Sequence, residues 1–206
     1  SFRGSQAAIV QRTLAGGHSL VIMPTGSGKS LCYQVPALLF ERAQPGDSLP
    51  LTIVLSPLIA LMKDQVDALR SRKIEATYIN SSLSREEREK RYNEVATGQY
   101  RLLYVAPERF RKPEFLAAIE NRDVRLLAVD EAHCISEWGH DFRPDYTRLR
   151  EFRELIGKPT TIALTATATP DVQVDIVREL GLADEESVTF HEGMERPNLK
   201  LVGEEG

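Results

Sequence analysis

The stretch Ser19-Leu-Val-Ile-Met-Pro-Thr-Gly-Ser-Gly-Lys-Ser30 decides the fold of this chain. Its first part, residues 19–23, is largely apolar and predicts a buried strand. Its second part, residues 24–30, is rich in small residues and ends in Lys29 and Ser30. A helical sequence pattern follows directly. A strand, a glycine-containing loop and a helix in this order are typical of a phosphate-binding loop.

Each part of this loop has a task in binding a nucleoside triphosphate. Small residues let backbone N–H groups turn towards phosphate oxygens, and the helix N-terminus adds partial positive charge. Lys29 supplies a cation to the outer phosphates, and the Ser30 hydroxyl is placed to ligate Mg²⁺. Met23 stands where the strict pattern has glycine, and a glycine turn that merely precedes a helix is the alternative. The residues predicted to hold the phosphates are Thr25, Gly26, Ser27, Gly28, Lys29 and Ser30.

Short β-branched segments alternate with longer helical patterns along the rest of the chain. Strands are predicted at residues 19–23, 51–55, 76–79, 101–105, 125–130, 160–164 and 187–190. Helices are predicted at residues 6–15, 29–40, 57–71, 85–97, 113–120, 146–156 and 171–180. Several strand segments are apolar at consecutive positions, as in strands buried on both faces of a parallel sheet. We therefore predict a three-layer α/β fold with a mostly parallel central sheet of about seven strands.

Local signals support several of these boundaries. Ser84 and Glu87 form a capping box at the start of a helix, and Pro57 is suited to the first helical position. Gly181 is predicted to terminate the last helix. Residues 42–50 contain Pro, Gly, Asp and Ser, and predict a surface loop.

Length and composition fit one globular domain without a membrane anchor. The chain has 206 residues, a net charge of −4 and no apolar run near the roughly 20 residues of a membrane span. Nucleic acid would therefore have to bind a local patch rather than a globally positive surface. Cys32 and Cys134 are too few for a disulfide framework, so we expect an intracellular protein. Because the chain begins with Ser1 inside an apparent motif, we expect a piece of a longer protein.

Asp130 and Glu131 follow directly on an apolar segment, residues 126–129. In open α/β sheets, ligands collect beyond the carboxyl ends of the strands. Asp130 is predicted to hold hydrated Mg²⁺, and Glu131 to orient and deprotonate the attacking water. A solvated turn is the alternative for this pair. His133 beside it either couples the pair to other loops or only satisfies local hydrogen bonds. The predicted catalytic residues are Lys29, Asp130 and Glu131, with Ser30 and Asp130 as metal ligands.

Residues 138–146 combine aromatic rings with a cation. The rings stand at intervals of four, as Trp138, Phe142 and Tyr146. That spacing is also typical of a helical core stripe, but Gly139 and Pro144 interrupt a helix and Arg143 lies among the rings. Stacking rings with a cation are suited to unpaired bases and phosphate. Trp138 and Phe142 are predicted to contact bases, and Tyr146 to pack internally.

Two other patterns give weaker predictions. A zinc site formed by His133, Cys134 and His140 matches no common ligand spacing. The basic run at residues 85–91 has acidic residues four positions from its basic ones, which predicts a solvated helix face rather than a nucleic-acid site.

The signature Asp130-Glu-Ala-His133, of the DEAH-box type, together with Thr165-Ala-Thr167, resembles superfamily 2 helicases. Residues 132–146, AHCISEWGHDFRPDY, are similar to the aromatic-rich loop of RecQ-family DNA helicases. Further segments of that family are recognisable at residues 2–6, 56–65, 104–109 and 196–199. The resemblance covers essentially the whole chain in family order, and it is strongest to bacterial members.

The resemblance implies an ATP-dependent DNA helicase that moves 3′ to 5′ and serves DNA repair and recombination. Gln6 would read the adenine edge, and Arg3 would line the same pocket. The residues implied in DNA contact or coupling are Ser56, Pro57, Arg109, His133, Trp138, Phe142, Arg143, Thr165 and Thr167. The implied partners are single-stranded and duplex DNA, with no membrane, in the bacterial cytoplasm and in association with the nucleoid.

The resemblance also implies that residues 1–206 are the ATP-binding half, the first of two RecA-like motor domains. A second domain would supply an arginine finger, so we expect the isolated chain to bind nucleotide weakly and hydrolyse it slowly or not at all. The alternatives are a small-molecule P-loop kinase or ATPase, a non-catalytic nucleic-acid-binding module and an RNA-directed helicase of the same superfamily.

Overall fold

The computed structural model describes residues 4–24, 28–191 and 194–197. Eight strands form one sheet: β1 (His18–Ile22), β2 (Leu51–Leu55), β3 (Ala76–Ile79), β4 (Leu102–Val105), β5 (Val124–Val129), β6 (Thr160–Thr165), β7 (Ser187–His191) and β8 (Met194–Pro197). Their order across the sheet is β3-β4-β2-β5-β6-β1-β7-β8. Strands β1 to β7 are parallel, and β8 pairs antiparallel with β7. The predicted fold class is confirmed, and β8 is a strand that the sequence did not predict.

Seven helices cover the two faces of this sheet: α1 (Gly4–Leu14), α2 (Leu31–Leu39), α3 (Ile59–Ser71), α4 (Arg85–Ala96), α5 (Pro113–Ile119), α6 (Leu149–Leu155) and α7 (Pro170–Glu179). Buried side chains of α1, α2 and α3 share one core cluster, whereas those of α4 to α7 share the other. These are the three predicted layers. Among the described residues, none of the helices combines the length and apolar character that a membrane crossing needs.

Burial on both faces explains the apolar strand segments. Every residue of β1 and of β2 is buried. Met23, directly after β1, is also buried and belongs to the core cluster on the side of α1, α2 and α3. The position that a strict phosphate-loop pattern gives to glycine is therefore a core position here, which accounts for its apolar side chain.

Two predicted helix starts were wrong. Pro57 is not the first residue of a helix, because α3 begins at Ile59. The Ser56 hydroxyl instead accepts a hydrogen bond from the Leu58 N–H at 3.2 Å, which forms a local turn before the helix. Likewise α2 begins at Leu31 rather than at Lys29. In both cases the chain turns at the edge of the sheet before the helix can begin.

The predicted helix at residues 146–156 was also wrong in its first part. A short 3₁₀ turn spans Pro144–Tyr146, and α6 begins only at Leu149. Between them Arg148 has a φ of 70°, in the left-handed region that a continuous helix excludes. Pro144 fixes the start of the 3₁₀ turn, and the buried Tyr146 ring then holds it against the core.

Other local predictions were confirmed. The Ser84 hydroxyl accepts a hydrogen bond from the Glu87 N–H at 3.1 Å and caps α4. On the same helix Arg91 pairs with Glu87 at 3.0 Å, as the charge pattern predicted. Gly181 follows α7 with a φ of 76°, which suits a helix terminator without a Cβ.

A buried ionic network lies at the edge of the sheet where β1 and β6 begin. Arg153 of α6, only 1% exposed, forms two hydrogen bonds to the Glu185 carboxylate, at 2.9 and 3.0 Å. Its Nε donates to the Thr161 hydroxyl at 2.8 Å. His18 Nε2 lies 2.8 Å from the same carboxylate. The hydrogen bonds from Arg153 lower the pKa of Glu185 to about 2. Burial, followed by the charge of Arg153, lowers the pKa of His18.

Candidate nucleotide site and coupling loop

The predicted nucleotide-binding segments meet at the opposite edge of the sheet. Strands β5, β6 and β1 are parallel neighbours, so their carboxyl ends lie side by side. The phosphate loop follows β1, the pair of Asp130 and Glu131 follows β5, and Thr165 ends β6. In the register of these strands, Ile22 stands beside Thr165. Residues far apart in the sequence are therefore neighbours at one edge, as in other open α/β sheets.

Part of the phosphate loop lies in the described structure. Of the predicted nucleotide contacts, Arg3, Thr25, Gly26 and Ser27 lie outside the described residues. Gly28 has a φ of 83°, and a Cβ at this position would overlap the Gln6 amide. That amide donates a hydrogen bond to the Gly28 carbonyl at 3.1 Å, and Gln6 is only 3% exposed. The predicted adenine-reading residue is thus in direct contact with the phosphate loop, and this position requires glycine.

Lys29 and Ser30 form the turn that leads into α2. Ser30 occupies the N-cap position, but its side chain makes no capping hydrogen bond. Its hydroxyl is therefore not used to cap the helix, which agrees with the predicted role as a metal ligand. The charge of Lys29 acts on Asp130 and favours its ionised form. A hydroxyl and a carboxylate are the hard oxygen donors that Mg²⁺ prefers, so these residues fit the ion.

The acidic pair continues β5 with an abrupt change of backbone direction. Glu131 has a φ of 52° and a ψ of 46°, a left-handed conformation that costs about 1–3 kcal/mol for a residue other than glycine. The Glu131 N–H donates to the Asp130 carboxylate at 3.0 Å. Burial, and then the charge of Glu131, raises the pKa of Asp130, while Lys29 opposes the shift. The Glu131 carboxylate lies 3.5 Å from His133, whereas Lys29 acts on Asp130, so the two carboxylates have different neighbours.

His133 joins the acidic pair to the segment after β6. Its Nδ1 lies 2.8 Å from the Thr165 hydroxyl and 3.5 Å from the Glu131 carboxylate. The Thr165 hydroxyl donates to the Thr167 carbonyl at 3.1 Å, so it accepts from the histidine. Burial lowers the pKa of His133, which favours the neutral ring with its proton on Nδ1. A continuous set of contacts therefore joins Glu131, His133, Thr165 and Thr167.

The other side of His133 faces the aromatic loop, residues 136–146. The His140 ring stacks on the His133 ring with centroids 4.9 Å apart. The Nε2 atom of His133 lies 3.9 Å from the Asp141 carboxylate. Asp141 also lies 3.8 Å from the Cys134 sulfur and 3.6 Å from Arg143. The sequence analysis considered His140 only as a zinc ligand, and it predicted no role for Asp141. Asp141 directly precedes Phe142 and Arg143, two predicted site residues, and this position was the available signal. Its contact with His133 depends on the turn of the loop, which the sequence does not show.

These contacts also bear on the zinc alternative. Ligand atoms of His133, Cys134 and Asp141 lie within 4.8 Å of one another, so a carboxylate rather than His140 completes the group. Burial, and then the charge of Asp141, raises the pKa of the Cys134 thiol to about 12. The Cys134 sulfur and the Asp141 carboxylate are in contact with each other at 3.8 Å, and we describe this group as the base of the aromatic loop.

The three aromatic residues of the loop have different environments. Trp138 is 75% exposed, whereas Tyr146 is 1% exposed and donates a hydrogen bond to the Asp130 carbonyl at 3.1 Å. Phe142 is half-buried. A cavity of about 460 Å³ lies on one side of Trp138, lined by His133, His140 and Thr167 among others. Trp138 is thus not part of a core stripe, and the prediction that Tyr146 packs internally is confirmed.

The two turns predicted to contact DNA are neighbours. They follow β2 and β4, which pair directly, and the Ser56 N–H donates to the Val105 carbonyl at 3.2 Å. The Ser56 hydroxyl is used within its own turn. Arg109 is half-buried. Burial raises the pKa of Tyr92, and the Arg109 guanidinium opposes that rise. Pro57 is partly exposed at the same edge.

A parallel sheet with a phosphate loop after β1 and an acidic pair after β5, two strands away, defines a RecA-like P-loop NTPase domain. Residues 3–175 match the sequence model of the DEAD/DEAH box helicase family, and the chain belongs to that family.

Within it, the chain is 50% identical over 197 residues to the ATP-dependent DNA helicase RecQ of Bacillus subtilis, covering 95% of this chain and 32% of that protein. It is 46% identical over 202 residues to RecQ of Pasteurella multocida, covering 98% of this chain and 30% of the relative. The chain therefore spans about a third of the length of these relatives.

A solved structure supports the fold alone. The Mycobacterium smegmatis helicase Lhr bound to single-stranded DNA and AMP-PNP aligns with a TM-score of 0.69 at 24% identity. The alignment covers 93% of this chain and 26% of that one.

Proposed function

We propose that this chain is the ATP-binding motor domain of a RecQ-like, ATP-dependent DNA helicase that translocates 3′ to 5′. The observation that carries the proposal is the contact between the candidate hydrolysis pair and the aromatic loop. Glu131 reaches His133, and His133 is stacked on His140 of the same loop that exposes Trp138. A P-loop kinase or small-molecule ATPase has no use for such a connection. The likeness to RecQ helicases in sequence supports the same conclusion.

The nucleotide half of the proposal assigns a role to each residue of the site. Lys29 and the phosphate loop would hold the phosphates, Gln6 and Arg3 the adenine, and Ser30 with Asp130 would hold Mg²⁺. When bound, Mg²⁺ neutralises charge that develops on the phosphate oxygens. Glu131 would orient the attacking water and accept its proton. Its contact with His133 lets that orientation depend on the state of the neighbouring loop.

The DNA half of the proposal rests on surface chemistry at the same edge of the sheet. Trp138 and Phe142 would stack on unpaired bases, and Arg143 would contact phosphate. The turns that contain Pro57 and Arg109 would contact the DNA backbone. Because the net charge is −4, this local arrangement rather than the overall field would hold DNA.

We further propose that a second RecA-like domain of the same protein closes over the nucleotide and supplies an arginine finger. The chain spans only about a third of its RecQ relatives, which leaves length for such a domain. The 206-residue chain alone should then hydrolyse ATP slowly or not at all. DNA repair and recombination, in the cytoplasm and at the bacterial nucleoid, are the proposed setting.

The test is ATP hydrolysis by the full-length protein with and without single-stranded DNA. Stimulation by DNA is expected, and Trp138→Ala should lower the stimulation about tenfold, because stacking contributes about 1–3 kcal/mol per base. Leu155→Ala is the matched control, because Leu155 is also apolar and 71% exposed but lies at the end of α6. Equal stimulation by RNA and DNA, with Trp138→Ala neutral, would instead favour an RNA-directed helicase.

A further inference from the structure

Two buried tyrosines and two half-buried glutamines join α2 to β4 and α3. Gln34 donates a hydrogen bond from Nε2 to the Tyr104 hydroxyl at 2.9 Å. The Tyr33 hydroxyl donates to Gln65 Oε1 at 3.4 Å. The two tyrosine rings meet edge to face, with centroids 6.3 Å apart. Both tyrosines are 1% exposed. We call Tyr33, Gln34, Gln65 and Tyr104 the tyrosine network.

The tyrosine network lies close to the candidate hydrolysis site. Burial is the main reason that the pKa values of both tyrosines are raised, and the negative charge of Asp130 adds to the shift. In the register of the sheet Tyr104 stands beside Val54, and Val54 stands beside Ala128, two residues before Asp130. The network therefore lies near the carboxyl end of the sheet, in the core cluster on the side of α2.

Each element of the network leads directly to a part of the proposed site. Helix α2 follows Lys29 and Ser30 of the phosphate loop. Strand β4 ends one residue before the turn at Pro107–Arg109, and α3 follows the turn at Ser56 and Pro57. A shift of α2 relative to the sheet would have to break or lengthen the bond between Gln34 and Tyr104.

Stability alone does not require polar groups at these positions. A buried hydrogen bond contributes only about 1 kcal/mol net, and apolar groups of the same shape can replace both partners at little cost. Polar groups that satisfy one another do, however, favour a single arrangement of the elements that carry them. Two discrete arrangements of such contacts are what coupling between sites needs.

We propose that Gln34, Tyr104 and Tyr33 are positioning residues that couple the phosphate-loop helix to the two DNA-contacting turns. The proposal deepens the helicase function and rests on it. DNA seated on the turns would favour one position of β4 and α3, and the tyrosine network would pass that preference to α2 and to the phosphates. It acts in addition to the contacts between His133 and Thr165.

The experiment compares, in the full-length protein, variants that each remove one polar group. Tyr104→Phe and Gln34→Met keep the bulk of the side chain but remove the hydrogen bond between α2 and β4. Tyr100→Phe is the matched control, because the Tyr100 hydroxyl forms a partly buried hydrogen bond outside the network, to Glu94 at 2.6 Å. For each protein, the ATPase rate is measured with and without saturating single-stranded DNA, together with KM for ATP and the thermal midpoint.

Tyr104→Phe and Gln34→Met should each lower the stimulation by DNA about fivefold, at the lower end of couplings between two sites. The DNA-free rate and KM for ATP should change by less than about twofold, so the effect lies in coupling rather than in nucleotide binding. The double variant should lose no more than either single variant, because both remove the same link.

Two outcomes would overturn the inference. One is a stimulation factor equal to that of Tyr100→Phe, and the other is an equal fall of the DNA-free and DNA-stimulated rates. Absence of DNA stimulation in the wild-type protein would instead overturn the proposed helicase function, and this inference with it. The wild-type measurement therefore distinguishes the two failures.

Discussion

The two ends of the same parallel sheet treat their carboxylates in opposite ways. At the carboxyl end, burial and a neighbouring acid raise the pKa of Asp130, and Glu131 has a strained left-handed backbone. At the other end, Arg153 donates two hydrogen bonds to the Glu185 carboxylate and lowers the pKa of Glu185 to about 2. The charged form of Asp130 is therefore less stable in the protein than in water, whereas the charged form of Glu185 is more stable in the protein. The comparison indicates that one end is arranged for a ligand and the other for the fold.

The largest expected effect is on catalysis at the carboxyl end. Glu131→Gln should lower the ATPase rate of the full-length protein by about 100-fold or more, because a positioned general base contributes 10²–10⁴. The thermal midpoint should stay near that of the wild type, since the amide keeps the size and the contact with His133. Glu86→Gln, at an exposed position of α4, is the control. A variant that keeps half of the wild-type rate would remove Glu131 from the mechanism.

The largest effect on stability is expected at the other end. Arg153→Met should lower the free energy of unfolding by about 3 kcal/mol, because it removes both charged hydrogen bonds from Glu185 and one from Thr161. His18 is the partner that the Glu185 carboxylate retains. The partial exposure of Glu185 keeps the loss at the lower end of the range for broken buried pairs. Chemical denaturation measures it. Arg148→Met is the control, because it breaks an exposed pair with Glu151 and should leave the denaturation midpoint close to that of the wild type. Equal losses in the two variants would contradict the contrast drawn between the ends.

The pH dependence of stability should come mainly from the Arg153 end. Glu185 has a folded pKa of about 2, lowered from 4.5, so its stabilisation is complete above pH 4.5 and is lost as the pH falls towards 2. His18 has a folded pKa lowered from 6.5, so the unfolded chain binds its proton more readily and stability falls as the pH drops below 6.5. Denaturation midpoints measured from pH 7 to pH 3 should therefore fall steadily. The fall should be shallower in Glu185→Gln, and an unchanged slope there would exclude Glu185 as its source.

The smallest expected effect has the opposite sign. Asp130→Asn should raise the free energy of unfolding of the nucleotide-free protein at pH 7 by about 1 kcal/mol. The raised pKa of Asp130 means that the fold disfavours its charge, while the amide oxygen can still accept the Glu131 N–H. The same variant should lose Mg²⁺-dependent ATP hydrolysis. Destabilisation by Asp130→Asn at neutral pH would contradict the interpretation of this end as strained for function.

The sequence predicted those parts of the site that depend on neighbours along the chain. The phosphate loop and the pair of Asp130 and Glu131 are local motifs, and a parallel sheet brings the ends of its strands to one edge. The contact between His133 and Thr165 spans 32 positions, as does the pair of Arg153 and Glu185. Neither contact has a local signal, because it depends on which strands become neighbours.

The errors have a similar origin. Pro57 and residues 146–148 have acceptable helical patterns, but a local side-chain hydrogen bond holds the first in a turn and a tertiary contact holds the second. Ser56 uses its hydroxyl for a local hydrogen bond, and Tyr146 is drawn into the core with its hydroxyl on Asp130. Such contacts outweigh helix propensities, which amount to less than about 1 kcal/mol per residue.

The hydrogen bond from Tyr146 to Asp130 has an entropic consequence. It spans 16 positions and joins the end of the aromatic loop to the residue proposed to hold Mg²⁺, while the Arg143 N–H donates to the Cys134 carbonyl at 3.0 Å and closes the loop on itself. The loss of conformational freedom for this loop is therefore already part of the folding free energy. On the proposed function, single-stranded DNA would meet a preorganised surface and would not have to supply the free energy of ordering it.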